Sequence, residues 1–311
     1  MTPWARLKRS ARRSDARRAI ALGSSAAITA CWNRTAAVPR LLAAGRIARY
    51  DTLATVSLAT AVVSLIPRGL ESSAMEIGLV LLALLVLAVG AYFAYEQQQK
   101  RQQALRLLAE ELGWQFRAEE DRDHDDQYSH FELFCHGHTR YAYNTLVGAI
   151  DVGGAAWPVK MGDFHYQVTT SNGKTTTTHT HRFSYLILNL PYRQLPELLV
   201  RREGMFDALK NLFGFDDIDF ESAEFSRRFC VKSPDRRFAY DVIHPRMIEF
   251  LLSSEPPTVD VELGSCLLAD GRDTWSPAEF RATLDWARQF FELWPAHVTS
   301  QLEHEPLEQQ P

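Results

Sequence analysis

Residues 164–187 read FHYQVTTSNGKTTTTHTHRFSYLI, and the fold class turns on this stretch. Phe164, Tyr166 and Val168 alternate with polar residues on one run, and Phe183, Tyr185 and Ile187 recur at every second position on the other. A period of two is the signature of a strand with one buried face. Asn172-Gly173 between the runs supplies the positive φ angles that a tight hairpin turn requires. The pattern extends to Ala156–Thr170 on one side and Thr175–Leu190 on the other, which predicts a long antiparallel pair.

Working outward, shorter elements flank this pair. Trp114–Phe116 starts a strand, and DRDHDD (121–126) is a charged loop. Phe131–Cys135 and Tyr141–Leu146 read as two strands joined by a turn at His136-Gly137-His138-Thr139. Downstream come an apolar piece at Leu198–Arg201, a short helix at Phe206–Phe213 and a strand at Phe229–Lys232. Helices at Asp235–Ile243 and Pro245–Leu252 follow, then a hairpin of Val259–Leu263 with Cys266–Leu268. Ser276 as N-cap, Pro277 at the first helical position and Glu279 three residues after the cap open a helix to Leu293. Strands first and helices clustered later predict an α+β domain over 113–298 with a mostly antiparallel sheet. The polar residues 299–311 are expected to form a disordered tail.

Upstream the character changes. Ile77 to Tyr95 reads IGLVLLALLVLAVGAYFAY, nineteen residues without a charge. As a helix this spans about 28 Å, close to the hydrocarbon thickness of a bilayer. Tyr92, Phe93 and Tyr95 cluster at one end, where aromatic rings favour the membrane interface. A transmembrane helix over 75–96 is expected. A helix over 97–112 continues it, with Leu105, Leu108 and Leu112 as one apolar stripe and Gly113 as its cap. Thr52–Ile66 is a shorter, Ala/Ser/Thr-rich candidate for a second span.

The formal net charge of −4 over 311 residues hides two objects. Residues 1–74 hold twelve Lys/Arg and three acids, a net of +9, while the remaining 22 basic and 35 acidic residues give −13. The basic, low-acid N-terminal part has the composition of a targeting segment. Met75, directly before the apolar run, would also make a natural start, with residues 1–74 then an upstream extension absent from the native product. Lys100, Arg101 and Arg106 follow the run, so with a Met75 start the positive-inside bias puts the acidic domain in the cytoplasm. The four cysteines form no CxxC, which argues against a disulfide framework and for a reducing compartment. A net of −13 argues against nucleic-acid binding.

Two clusters could carry chemistry. His136 with His138 and His179 with His181 each form HxH, and alternate strand residues share a face. If the strands were adjacent, the four imidazoles could hold zinc or another transition metal, with Asp163 or His165 nearby. Asp216, Asp217, Asp219 and Glu221 form an acidic cluster that alternates with Ile218 and Phe220. Hard cations favour such oxygens, but EF-hand spacing is missing, and a half-buried segment with a solvated acidic face fits the alternation as well. Three arginine pairs, 201–202, 227–228 and 236–237, could face anionic lipid or pair within the domain. Nucleophile-elbow and zinc-protease motifs are missing.

The run DIDFESAEFSRRFCVKSPDRRFAYDVIHPRMIEFLL (217–252) resembles an uncharacterised bacterial family of membrane-anchored proteins. GDFHY (162–166), THTHRF (178–183) and LPELLVRRE (195–203) lie upstream in the same order. The resemblance covers about residues 76–295. It implies one or two N-terminal spans followed by a cytoplasmic or peripheral α+β domain, without an assigned activity; the expected location is the bacterial inner membrane. The expected function is an interaction or scaffold module tethered to the lipid bilayer, with a protein partner. The alternatives are a metal-binding protein or metalloenzyme using the histidines, and a reader of anionic lipid surfaces.

Overall fold

The computed structural model describes residues 73–192, 195–203, 216–254 and 256–304. The expected helix at Phe206–Phe213 and the second candidate span at Thr52–Ile66 lie outside the described residues. The chain divides into two compact units between Ala104 and Leu105. One long helix, α1 (Ser73–Leu112), contributes to both.

In the first unit most of the apolar part of α1 is exposed, with Leu81, Leu85 and Phe93 at 60%, 61% and 57% exposure, while Ala83, Leu87 and Ala94 are half-buried. Among the described residues this is one helix long and apolar enough to cross a membrane.

In the second unit α1 changes character. Leu105 and Leu108 are fully buried, so the leucine stripe is a packing face within the domain. Gly113 ends the helix at φ +69°, and the amide of Trp114 donates to the carbonyl of Ala109 at 2.8 Å. That is the six-to-one bond of a glycine C-terminal cap.

After α1 come β1 (Gln115–Arg117), α2 (His124–Gln127), a 3₁₀ turn (Glu132–Cys135), β2 (His138–Val152), β3 (Ala155–Ser171) and β4 (Thr176–Asn189). Then follow β5 (Leu198–Arg202), α3 (Ala223–Arg228), β6 (Phe229–Lys232), α4 (Arg236–Val242) and α5 (Pro245–Ser253). The chain continues through β7 (Thr258–Glu262), β8 (Ser265–Ala269), α6 (Pro277–Glu292) and α7 (Ala296–His304). The architecture is α+β. Eight antiparallel strands lie in the order β1-β2-β3-β4-β8-β7-β5-β6.

The period of two divides the side chains between two apolar layers. Met161, Leu186, Leu188, Val200, Val231, Val259 and Val261 pack with the helices, including Met247, Phe280 and Phe290. On the opposite face Phe164, Phe183, Tyr185 and Ile187 meet Tyr128, Phe131 and Phe134 in a smaller aromatic cluster. Helix α6 opens as its sequence requires: the Ser276 hydroxyl accepts from the Glu279 amide, and the Glu279 carboxylate accepts from the Ser276 amide.

Three elements differ from the sequence reading. The charged run 121–126 is not all loop, since α2 begins within it at His124. Residues 131–135 are not a strand: 132–135 form the 3₁₀ turn. Its three-residue repeat brings Phe131 and Phe134 to the same side, and both rings are fully buried beneath the sheet. The ordered chain also runs beyond 298, because α7 continues to His304. Val298 and Leu302, one helical turn apart, are both buried and hold it.

Gly137 controls the entry into β2. It has φ +64°, and a Cβ there would lie 2.2 Å from the carbonyl oxygen of Gln167 on β3. Gly137→Ala therefore combines a left-handed backbone with a clash against main chain, and should cost roughly 2–4 kcal/mol. Urea unfolding of the two proteins measures this, and an unchanged midpoint would contradict the assigned entry geometry.

Candidate functional site

The ladder between β3 and β4 decides where the histidines point. His179 lies opposite Val168 and His181 opposite Tyr166. The His181 ring stacks on Tyr166 with centroids 4.8 Å apart, on the face that carries the aromatic cluster. His138 lies opposite Gln167, whose β4 neighbour is Thr180, so it belongs to the other face. Its Nε2 is 2.9 Å from the Thr169 hydroxyl and its Nδ1 2.9 Å from that of Thr139. The sheet thus separates the two HxH pairs instead of bringing them together. His136 lies in the turn before β2, half-buried, with its Nε2 buried and unbonded. The idea of one four-histidine metal centre required both pairs on one face, and this register does not supply that.

The two residues named as neighbours of that centre have other partners. Asp163 is fully buried on β3 and accepts from the Asn144 amide at 2.9 Å and the Ser184 hydroxyl at 2.8 Å. Asn144 sits at φ +51° where the β2–β3 register slips. Asparagine tolerates that conformation better than most residues. The Ser184 hydroxyl in turn accepts from the Trp275 amide at 2.8 Å, tying the loop before α6 to β4. Asp163 therefore joins β2, β3, β4 and this loop. His165 stacks on Tyr141 at 4.4 Å, with its Nδ1 3.1 Å from the Thr139 carbonyl oxygen.

The acidic segment behaves as its alternation predicts. Ile218 is buried, while Asp216, Asp217, Asp219 and Glu221 are exposed. Local bonds fix the loop: the Ser226 hydroxyl accepts from the Phe220 amide at 3.1 Å, and the Tyr240 hydroxyl donates to the Asp219 carbonyl at 3.0 Å. Only Asp217 of the four joins a wider group. Its carboxylate accepts from the Cys230 thiol at 3.0 Å and lies 3.6 Å from the Lys232 ammonium. Potential ligand atoms of Glu203, Asp217 and Cys230 lie within 4.8 Å of one another. Burial, with the hydrogen bond to Asp217 adding to it, raises the Cys230 pKa to about 11. The thiol is therefore protonated at neutral pH, and Lys232 already neutralises the carboxylate. This donor set suits internal pairing better than a bound cation.

The arginine pairs do not form one lipid-facing set. Arg201 is buried on β5 across from Cys230. Arg228 lies 3.4 Å from Glu224, and Arg237 lies 3.9 Å from Asp241, each one helical turn along.

No protein-family model and no curated protein matches the chain. Among solved structures it is similar to the mycobacterial trehalose monomycolate transport factor A, TtfA. The TM-score is 0.43 at 13% sequence identity, over 62% of this chain and 96% of that one.

The groups with the most perturbed protonation are ones the sequence pattern does not single out. Asp260 and Glu262 alternate with Val259 and Val261 on β7, a pattern that reads as acids facing water, yet all four are buried. Burial, reinforced by the charge of Glu262, pushes the Asp260 carboxyl well above its usual range. His124 is fully buried against Phe134, Tyr128 and Tyr185, with centroids 4.6, 4.8 and 4.7 Å away, and neither ring nitrogen has a hydrogen-bond partner. Beside this cluster the Lys160 ammonium lies 3.0 Å from Asp121 and 5.1 Å from the Tyr128 ring centre. His124 sits in the charged run DRDHDD, where nothing in the pattern marks it for the core.

Burial, and then the charge of Lys160, hold His124 far below the ordinary histidine range. The unfolded chain takes up a proton below about pH 6.5 that the folded chain refuses. This contribution to stability is complete above that pH and is lost progressively as the pH falls below it towards the depressed folded value. Burial lowers His165 as well, with the same sign. Thermal melts should show a drop in Tm between pH 7 and pH 5 that is smaller in His124→Phe; equal drops would refute the role given to His124.

Proposed function

We propose that this protein is anchored in a bilayer by one span, residues 77–95, and that its α+β domain is a cytoplasmic interaction or scaffold module. The observation that carries this reading is the apolar half of α1. Large side chains such as Leu81, Leu82, Leu84 and Leu85 are exposed over nearly five turns without a charged residue. In water that surface is strongly unfavourable, at roughly 25 cal/mol for each Å² of apolar area. In hydrocarbon the same surface is solvated, and the helix satisfies its own backbone groups. The resemblance of 217–252 to membrane-anchored bacterial proteins supports the same reading, and the thiols of Cys135, Cys230 and Cys266 favour a reducing, cytoplasmic compartment for the domain.

Alkaline carbonate extraction tests the anchor. The full chain should stay in the membrane pellet, and Leu82→Arg with Leu85→Arg should release it, since each arginine costs about 2.5–3.5 kcal/mol at mid-span. Full-length protein in the supernatant would overturn the anchor. A membrane-impermeant maleimide tests sidedness in a Cys31→Ser chain. Cys135 is exposed, while Cys230 and Cys266 are buried. Labelling should require lysis; labelling of intact cells would put the domain on the outside.

A further inference from the structure

β3 and β4 run on beyond the rest of the sheet. β8 covers β4 only over Tyr185–Asn189, and the Asp273 carbonyl takes the amide of Ser184. On the other side β2 reaches β3 only as far as Gln167. Val168–Ser171 and Thr176–Thr180 thus form a two-stranded ribbon, exposed from Thr169 onward. The amides of Ser184 and Leu190 both point towards the β8 side. No register slip intervenes in β4, so the same period turns the amides and carbonyls of Thr176, Thr178 and Thr180 outward along that side. Among the described residues nothing pairs with them there.

We infer that this open edge is an interaction surface for a second copy of the same chain, β4 lying antiparallel to β4 across a two-fold axis. Exposed edges are ordinarily blunted by lysine, proline, a bulge or an inward charge. Thr175–His181 reads TTTTHTH and contains none of these. Threonine is a strong strand former, and a two-stranded ribbon alone is only marginally stable in water. The edge is self-complementary. With the axis at His179, Thr178 of each copy faces Thr180 of the other, and each such pair exchanges two N–H···O=C bonds. His179 then faces its own counterpart on the axis, and neither Lys174 nor Arg182 meets a like charge. A strand contact of this length is small for a stable dimer in solution. Two copies held in one bilayer are already concentrated, which favours the second copy as occupant over a diffusing peptide. This last step rests on the anchored reading above.

The test is cysteine cross-linking of the full chain in native membranes, in a background of Cys31→Ser and Cys135→Ser. His179→Cys with copper-phenanthroline as oxidant should give a disulfide-linked species of twice the chain mass. Glu249→Cys, on α5, should not. Thr178→Pro removes an amide that points away from β3, so it leaves the β3–β4 ladder intact. Added to His179→Cys, it should lower the cross-link about tenfold, equivalent to ~1.4 kcal/mol, with an unchanged Tm. No dimer from His179→Cys, Thr178→Cys or Thr180→Cys would overturn the pairing, as would an adduct only with a protein of different mass. Carbonate extraction of the same membranes reports the anchor separately. Chain that stays in the pellet without cross-linking refutes the pairing alone, and chain that leaves the pellet yet cross-links refutes the anchor alone.

Discussion

Thirteen residue pairs join β3 to β4 without a slip, from Val159 opposite Leu188 to Ser171 opposite Thr176. Because strand side chains alternate, that single ladder allots each residue of the two strands to one face or the other. It puts Phe164, Phe183 and Tyr185 against the aromatic cluster and Met161, Leu186 and Leu188 against the helices. It also puts His179 and His181 on one face while His138, through Gln167, falls on the other. A shift of one residue would reverse all of these placements at once. The buried Asp163 helps to prevent such a shift, since its bonds to Asn144 and Ser184 fit only this register.

Local signals in the sequence carry the elements themselves. The alternation on either side of Asn172-Gly173, the capping box at Ser276 and the glycine after Leu112 each express short-range geometry, and each element forms where expected, although the hairpin turn falls on Gly173-Lys174 and only Gly173 has a positive φ. Long-range facts are less legible. Phe131 and Phe134 are apolar in either a strand or a 3₁₀ turn, and only the cluster they enter selects the turn. The HxH spacing shows that two rings can share a face but not which face, because the bulges at Thr139 and Asn144 are invisible in the pattern. Asp260 and Glu262 have the alternation of a solvated strand, and their burial follows from a tertiary arrangement that alternation does not encode.

The domain keeps several ionisable groups away from water at a cost to its own stability. His124 is held neutral among aromatic rings, Asp260 is pushed towards its protonated form, and Lys160 is lowered by burial against the pull of Asp121. Here they lie on the sheet face opposite the helices, or beside it, whereas the open edge of β4 belongs to the projecting ribbon. The core and the proposed contact are thus separable, and each can be altered without the other.

The anchored state requires that α1 reside in a bilayer. Nitroxide labels placed one at a time along residues 77–95 of the full chain in liposomes read this directly, through collision with oxygen and with a water-soluble nickel chelate. Membrane residence predicts that oxygen accessibility rises to a maximum near Leu85 and Val86 while nickel accessibility falls to a minimum there, at every angular position around the helix. A flat profile, or one with a water-exposed stripe every three to four residues, would contradict it.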